Sequence, residues 1–522
     1  MSNKGEKQAG ISALDFFCIG FGSIVGVGWA LSINRWMANC GGPLPASVGY
    51  LMALVMMVPI SLCYCELAPM MPVAGGGTAY AYRAFNEKVA FISGWAAFGG
   101  FVTIIPWEAI YICDVLSIMI PAAKGPVLYS LVGSDIHLGH LVFGTIFSCL
   151  LFWVNWKGAT SSALFQRLIT IILIGGGVLG MIAAIVHFDV NNFRGVVPSA
   201  AEFDALRAAA GTSEFSTVYA QTYLAGQEAT SFYSNVARGT HGNFFGGAVA
   251  ILASAPFFLA GFETIPQAVE DAKGDITAVG KTVVLSVSMA CIFYALLLFC
   301  FGSAMPWQQF WSGGVFGSPA GGLLFTYAFG EGNAIGVAMY WIILVATLCG
   351  LFSTWNGFMM ASPRLLMGMA RGYMMPRALA KQNKYGTPST GLIACFALSL
   401  AGPFLGMGLV DPLTLFAGAG FVLSWGLTAW SVVSLRKKEP NAERPYKLPG
   451  GSGTATFGGV VMAIIFVLFF VPVNGNPLYL EPMPIVLFIC WMVFGLILYM
   501  VAAPARNAVT AEERAASLFE RR

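Results

Sequence analysis

The sequence predicts an all-α membrane protein of twelve transmembrane helices, ten in two groups of five and two more at the C-terminal end. The chain of 522 residues is 57% hydrophobic and only 10% charged, with a mean hydropathy of +0.75. Its apolar residues form twelve separate runs, and the first and sixth runs are interrupted by glycine or proline. These features exclude an ordinary soluble domain and indicate a polytopic membrane protein.

Each apolar run is long enough to cross the roughly 30 Å hydrocarbon core of a bilayer as a helix. The predicted spans cover residues 14–37, 46–70, 90–121, 137–157, 162–188, 243–268, 277–306, 334–370, 387–408, 411–436, 455–474 and 482–503. Spans one to five and six to ten match in hydropathy and in the position of the break. An internal repeat with interrupted first helices is typical of transporters.

Positive charge sets the expected orientation, because lysine and arginine accumulate on cytoplasmic segments. With the N-terminus inside, 22 of the 27 lysines and arginines fall on inner segments and 5 on outer segments. We therefore expect a multi-pass plasma-membrane protein with both termini in the cytoplasm. The predicted regions are a cytoplasmic segment 1–13, a first repeat 14–188, an extracellular loop 189–242, a second repeat 243–436, two spans in 455–503 and a cytoplasmic tail 504–522.

The first span carries glycine at positions 22, 26 and 28. Each glycine costs about 1 kcal/mol relative to alanine in a helix, and in lipid a freed peptide group has no water to bond. We expect the helix to break here, with the freed backbone facing protein, an ion or a ligand. The N–H groups after the break would then form an anion site. Close packing of a neighbouring helix against the glycines is the alternative.

The sixth span is interrupted in the same way. Pro256, Gly261, Glu263 and Pro266 fall within one apolar stretch, 255–266. Two interrupted spans at corresponding positions of two halves are the best sequence indication of a transporter binding site. This second stretch favours the interpretation that both helices break.

Six motifs occur in order along nearly the whole chain. They are IVGVG at 24–28, ELA with PVAGGGTAYAYR at 66–68 and 72–83, SGW at 93–95, FLAGFE with EDAK at 258–263 and 270–273, SPRLLMGMAR with MP and GTP at 362–371, 375–376 and 386–388, and RPYKLPG at 444–450. Together they resemble the amino acid–polyamine–organocation permeases. The resemblance implies a leucine-transporter-like inverted repeat of five plus five helices with two more behind, and secondary active transport of an amino acid.

The physics of the breaks and the resemblance indicate the same site. N–H groups at Gly26, Val27 and Gly28 would bind a substrate carboxylate, and carbonyls at Ile24 and in 258–261 would accept an ammonium group. Gly261 would permit close approach, and Phe262 or a nearby aromatic ring would close over the substrate. The full predicted set is Ile24, Val25, Gly26, Val27, Gly28, Trp107, Glu108, Phe258, Ala260, Gly261, Phe262 and Glu263.

Two acidic residues leave an alternative substrate open. Glu108 lies near the middle of the third span and Glu263 at the sixth-span break. An intramembrane carboxylate is costly and is a functional candidate by default. Glu108 would bind a cationic substrate, carry a proton or form a structural hydrogen bond, whereas we expect Glu263 to hold the freed backbone. The alternative function is a permease or exchanger for an organic amine or polyamine, with Glu108 or Glu263 pairing the ammonium group.

The coupling ion is a proton or sodium. Relatives that do not use sodium often carry a lysine in the fifth span, but the matching stretch 170–175 has none. Ser353 and Thr354, together with first-span carbonyls, offer the hard oxygen ligands that sodium prefers; bonding of both hydroxyls to their own helix is the alternative. We expect no cofactor, no nucleic-acid partner and no enzymatic activity. The expected partners are a small-molecule substrate and membrane lipid, with the chain a monomer or a homodimer.

Overall fold

The structure is a computed structural model. Helices account for most of it. It describes residues 11–26, 28–132, 134–193, 244–273, 275–305, 324–325, 328–330, 332–472, 476 and 478–520. Val27, the first ten residues and nearly all of the predicted extracellular loop lie outside these residues.

The first half of the described chain contains eight helices and one hairpin. The helices are α1 (Ala13–Ile24), α2 (Gly28–Leu31), α3 (Ile33–Cys40), α4 (Pro43–Met70), α5 (Gly77–Ala84), α6 (Glu87–Met119), α7 (Leu138–Trp156) and α8 (Ala159–Ile185). Strands β1 (Val127–Leu131) and β2 (Ser134–His137) pair antiparallel between α6 and α7. Short 3₁₀ turns lie at Pro121–Lys124 and Val190–Phe193.

The second half follows the same pattern of long helices joined by short turns. Its α-helices are α9 (Phe244–Ala250), α10 (Ala255–Phe258), α11 (Thr264–Gln267), α12 (Ile276–Ala304), α13 (Ala334–Arg371), α14 (Ser389–Ala401), α15 (Val410–Lys438), α16 (Gly451–Phe469), α17 (Pro482–Val501), α18 (Ala503–Asn507) and α19 (Ala511–Phe519). Its 3₁₀ turns are Ile251–Ala253, Val269–Asp271, Arg377–Ala380, Gly402–Phe404 and Met407–Leu409.

The expectation of an all-helical, multi-pass membrane protein is confirmed. Within the described ranges, ten helices are long and apolar enough to cross a membrane, and two shorter apolar helices cover Phe244–Ala253 and Ser389–Phe404. The shorter two lie where spans six and nine were predicted. Proline and glycine shorten both, since Pro256 follows the first and Gly402 and Pro403 end the second.

Some helices begin and end a few residues away from the bounds of the predicted spans. The third span begins at Glu87 rather than at residue 90, because the Asn86 side chain caps the helix by accepting from the Val89 N–H at 3.0 Å. The eleventh covers Gly451–Phe469 rather than 455–474. Its N-cap, Gly450, has a positive φ of 73°, which permits the sharp entry into the helix.

The outer faces of the long helices are apolar. Val55, Leu168 and Val501 expose 65%, 60% and 62% of their residue surface. Exposed apolar surface on this scale is unusual for a soluble monomer and is expected of helices that face lipid. The first broken helix lies inside the bundle, packed between α8, α12 and α13.

Candidate substrate site

The first predicted break is present in the structure. Helix α1 ends at Ile24, and Val25 leaves helical geometry with φ −89° and ψ 78°. The Gly26 N–H donates to the Ile24 carbonyl at 3.1 Å, which is the contact of a tight turn and not of an α-helix. Helical structure resumes at Gly28. Val27 lies between these residues and outside the described ones.

The glycines of the first span divide between two roles. Gly22 remains helical, and a Cβ there would collide with the hydroxyls of Ser353 and Thr170. Across the interface, a Cβ at Gly350 would lie 2.6 Å from the Gly26 carbonyl oxygen, and one at Gly357 would collide with the Ser23 hydroxyl. Both explanations offered for the glycines therefore apply: Gly22 permits close helix packing, and the chain breaks after it.

The second break lies against the first. Helix α10 ends at Phe258, and the next short helix begins at Thr264. Between them Gly261 adopts φ +133°, and a Cβ on it would lie 2.5 Å from the Ser23 carbonyl carbon and 2.6 Å from the Ile24 nitrogen. The two interrupted helices therefore meet backbone to backbone, at a separation that only glycine permits.

Tyr294 connects the two breaks. Its hydroxyl donates to the Ile24 carbonyl at 2.9 Å and lies 3.4 Å from the Phe258 carbonyl. Because a phenol carries a single hydrogen, this donor is shared between the last carbonyls of the two helical segments. Sequence reasoning missed Tyr294. The available signal was the single tyrosine of the seventh span, and such a signal does not identify its partner.

The predicted residues surround a small cavity at this junction. Its volume is about 20 Å³, which is room for about one water molecule. Its walls are Ser23, Ile24, Gly26, Gly28, Ile104, Trp107, Glu108, Phe257, Phe258, Ala260 and Thr354. Of the predicted set, Ile24, Gly26, Gly28, Trp107, Glu108, Phe258 and Ala260 are therefore brought together. The space is too small for an amino acid, so the site is closed in this structure.

Val25 and Phe262, two of the other predicted residues, pack behind the cavity wall. Val25 and Phe262 are fully buried. The Phe262 ring contacts those of Tyr64 and Trp425, with centroid distances of 5.3 and 5.4 Å. It is therefore not the ring that closes over the cavity, which is bordered instead by Phe258 and its neighbours. In a continuous helix Phe262 would face the same side as Phe258, four residues earlier. The helix stops at Phe258, and the turn at Gly261 directs Phe262 elsewhere.

Glu108 is buried at the cavity without a complete set of partners. It is 2% exposed, and its Oε2 has no hydrogen-bond partner among the residues that the structure describes. The neighbouring Trp107 indole is satisfied, since it donates to the Thr414 hydroxyl at 3.2 Å. A buried polar oxygen left unpaired is energetically unfavourable. Glu108 is thus the side chain at the cavity that is best placed to bind a cation or a proton.

Glu263 has the structural role expected of it. One carboxyl oxygen accepts the Gly261 N–H at 2.8 Å, and the other accepts the Trp425 indole N–H. The carboxyl therefore satisfies a peptide group freed by the second break and ties it to helix α15. Trp425 was not predicted as its partner, because it lies 162 residues away in sequence.

We expect Glu263→Ala to lower the free energy of unfolding by about 2–6 kcal/mol, because two buried N–H donors lose their acceptor at about 1–3 kcal/mol each. Thermal unfolding in lipid nanodiscs, followed by tryptophan fluorescence, measures this loss. Glu512→Ala, which changes an exposed residue of α19, is the control and should leave the unfolding temperature unchanged. Equal unfolding temperatures for the two variants would remove Glu263 from the support of the break.

The two hydroxyls considered for sodium bond across helices. Thr354 donates to the Gly22 carbonyl at 3.3 Å. The Ser353 hydroxyl accepts from the Gln166 amide at 2.8 Å and lies 3.3 Å from the Thr170 hydroxyl. These contacts go to α1 and α8 and not to the preceding turn of their own helix. Gln166, which sequence reasoning missed, therefore belongs to the polar junction beside the first break.

Comparison with known proteins identifies the family. The family model described as "Amino acid permease" matches residues 11–497. The branched-chain amino acid permease BcaP of Bacillus subtilis is 22% identical over 511 residues, covering 96% of this chain and 94% of its own length. The glutamate/serine transporter AimA of the same organism is 25% identical over 490 residues, covering 92% and 80%. The methylthioribose transporter of that organism is 21% identical over 451 residues, covering 84% of each chain. Since the family model spans nearly the whole chain, this protein belongs to the amino acid permease family of membrane transporters.

Proposed function

We propose that the protein is a secondary active transporter that carries an amino acid across the plasma membrane by alternating access. Family membership and relatives named as amino acid permeases support the substrate class. The observation that carries the proposal is the contact between the two helix breaks, where Gly261 meets the backbone of Ser23 and Ile24 beside a cavity inside the bundle. Irregular backbone at membrane depth is tolerated where it lines such a cavity.

In this proposal main-chain groups bind both ends of the amino acid. The Ile24 carbonyl accepts from the Tyr294 hydroxyl and from the Gly26 N–H, which together use both of its lone pairs. It can accept an ammonium hydrogen once the Gly26 N–H is released. The Gly26 N–H now donates to Ile24. A substrate carboxylate would replace the Ile24 carbonyl as the acceptor of the Gly26 N–H. It would also accept from the N–H groups of residues 27 and 28. Binding would thus loosen the turn that closes the first break.

The proposed topology has twelve spans, in two inverted repeats of five helices followed by two. The ten long apolar helices and the two shorter ones support this number. The distribution of lysine and arginine supports cytoplasmic termini. A reporter fused after residue 522 and one inserted in the 194–243 segment should lie on opposite sides of the membrane. Two reporters on the same side would contradict the proposed arrangement.

An organic amine or polyamine is a second candidate substrate, and one observation favours it. The unpartnered Oε2 of Glu108 lies at a cavity bordered by the rings of Trp107 and Phe258, and carboxylates and aromatic faces both attract organic cations. Glu263 is a weaker candidate for this role than Glu108, because both of its oxygens are already bonded.

Uptake into proteoliposomes separates the two candidates. A panel of amino acids and their decarboxylated amines, with and without sodium and a pH gradient, tests substrate and coupling together. The proposal expects uptake of at least one amino acid and no uptake of its amine. Uptake of an amine that lacks any carboxylate would establish the second candidate instead. Stimulation by sodium would support ligation by Ser353 and Thr354, and stimulation by an inward pH gradient would support proton coupling.

Glu108→Gln tests the role of the carboxylate. If the carboxylate pairs with a cationic substrate, we expect uptake of that substrate to fall by about 10- to 100-fold, because a charge-assisted contact of about 1.5–3 kcal/mol is lost. If Glu108 carries the coupling proton, stimulation by the pH gradient should disappear while exchange of internal for external substrate remains. Asp135→Asn, at an exposed acid of the hairpin, is the control. Wild-type uptake and coupling in the Glu108 variant would assign the residue to packing alone.

A further inference from the structure

The last helix of the chain is docked onto the helix bundle. In α19, Leu518 is completely buried although the helix follows the last predicted span. A Cβ on Gly372, just after α13, would lie 3.6 Å from Leu518 Cδ2. The Phe519 ring meets the Tyr82 ring edge-on at 6.2 Å. The helix therefore buries its apolar face against both the end of α13 and helix α5.

Charged contacts fix the same helix in place. Arg514 Nε lies 3.0 Å from one oxygen of Glu87, and Arg506 Nε lies 3.1 Å from the other. The Tyr499 hydroxyl donates to Glu87 at 2.6 Å. Glu87 is the first residue of α6, so these contacts attach the C-terminal segment to the start of the third predicted span. The capping box of Thr510 and Glu513 defines where the docked helix begins.

The docked helix touches both predicted repeats. Tyr82 and Glu87 belong to the first, and Gly372 and Arg377 to the second. Alternating access requires elements of the two repeats to move relative to each other around the substrate site. A helix packed across both resists that motion at this end of the molecule.

A cluster of contacts closes the same end, and we name it the inner lock: Ala74, Gly75, Gln267, Glu270, Asp271, Arg364 and Arg371. The Gly75 N–H donates to the Gln267 side chain at 3.0 Å, and the Ala74 N–H donates to Glu270 at 2.8 Å. Two ion pairs, Arg371 with Glu270 at 2.7 Å and Arg364 with Asp271 at 2.9 Å, join helix α13 to the segment that leaves the second break. A path from the cavity to this face would have to separate these groups.

Arg377 connects the docked helix to the inner lock. Its Nη1 lies 3.3 Å from the Ser517 hydroxyl of the docked helix. The same nitrogen lies 3.1 Å from the carbonyl oxygens of Ala370 and Arg371, at the end of α13. Arg371 in turn forms the ion pair with Glu270. A continuous series of contacts thus runs from the C-terminal helix to the lock beside the second break.

We propose that the C-terminal helix Ala511–Phe519 is a strap that holds this face of the transporter closed. The proposal rests on the proposed function in one respect, because a closed face has a role only in alternating access. When the strap is docked, Leu518 and Ser517 stabilise the end of α13 in the position that forms the lock. When it undocks, the lock residues separate more readily and the site opens toward the face that we propose to be cytoplasmic.

The experiment compares Leu518→Asp with Ala516→Asp, both in the full chain in lipid nanodiscs without substrate. Leu518 is buried, whereas Ala516, two residues away on the same helix, is exposed. Hydrogen exchange is followed in peptides covering residues 73–77, 267–271 and 364–377. We expect these peptides to exchange at least about tenfold faster in Leu518→Asp than in the wild type. In that variant the lock can open without first undocking the C-terminal helix. The Ala516 variant should match the wild type.

Equal exchange of these peptides in Leu518→Asp and in the wild type would contradict the proposal that the C-terminal helix holds this face closed. If Leu518→Asp is not recovered as a monodisperse protein, Phe519→Ala replaces it, since that ring is only partly buried and contacts the Tyr82 ring of α5. The readout needs no transport, so the two proposals fail separately. A wild type that takes up no amino acid would reject the proposed function, while the exchange comparison would still decide the strap.

Discussion

Gly26→Leu is expected to reduce substrate uptake by more than about 100-fold, since displacement of a bound group by about 1 Å can already cost that much. A Cβ at this position would collide with the Thr354 hydroxyl and lie 3.2 Å from Glu108 Oε1. The rest of a leucine side chain would have to enter a cavity of about 20 Å³. The variant therefore fills the space where the substrate is proposed to bind.

Binding of labelled substrate in detergent, together with uptake into proteoliposomes, measures this effect. Gly175→Leu is the matched control. Gly175 is exposed on α8 at a position where an added Cβ meets nothing within 4 Å. We expect the control to keep wild-type affinity, and both variants to insert into the membrane in normal amounts. Unchanged affinity in Gly26→Leu would remove Gly26 from the site.

Gly261→Ala is expected to impair both stability and uptake. At φ +133° an L-residue is strained by about 1–3 kcal/mol. Its Cβ would also lie 2.5 Å from the Ser23 carbonyl carbon and 2.6 Å from the Ile24 nitrogen. These are backbone atoms of the first break and cannot rotate away, so we expect overpacking to add about 1–3 kcal/mol. The two breaks would be pushed apart, and the carbonyls and N–H groups around the cavity would no longer converge.

Gly386→Ala separates strain from collision. Gly386 also has a positive φ, of 77°, but an added Cβ there meets nothing within 4 Å. We expect this control to lose only the strain contribution, about 1 kcal/mol, and to keep wild-type uptake. Thermal unfolding and initial uptake rates measure the two effects. Wild-type stability and uptake in Gly261→Ala would show that direct contact between the breaks is not needed.

The helix breaks could be predicted from the sequence because unpaired peptide groups cost more free energy in lipid than in water. Glycine and proline weaken a helix anywhere, but in lipid the freed peptide groups must find protein partners. A break is therefore indicated in two runs, the one that contains Gly26 and Gly28 and the one that contains Pro256 and Gly261. Local sequence did not separate these glycines from Gly22, which stays helical and serves only close packing.

The partners of the freed groups could not be predicted. Tyr294 lies 270 residues from Ile24, and Gln166 lies 187 residues from Ser353. Contacts of this kind depend on how helices pack, and a single sequence does not contain that information. Whether Phe262 or a neighbouring ring borders the cavity could not be predicted either, because the turn at Gly261 decides which way Phe262 faces. Glu108 was identified because a charge inside a span is rare whatever surrounds it.

A structure of the protein with a bound amino acid tests the central claim most directly. The account predicts that the carboxylate lies within hydrogen-bond distance of the N–H groups of residues 26–28, and that the ammonium group contacts the Ile24 carbonyl or those of residues 258–261. Both breaks would remain open turns around the substrate. An amino acid bound elsewhere in the bundle, with α1 continuing as an unbroken helix through residues 25–28, would contradict it.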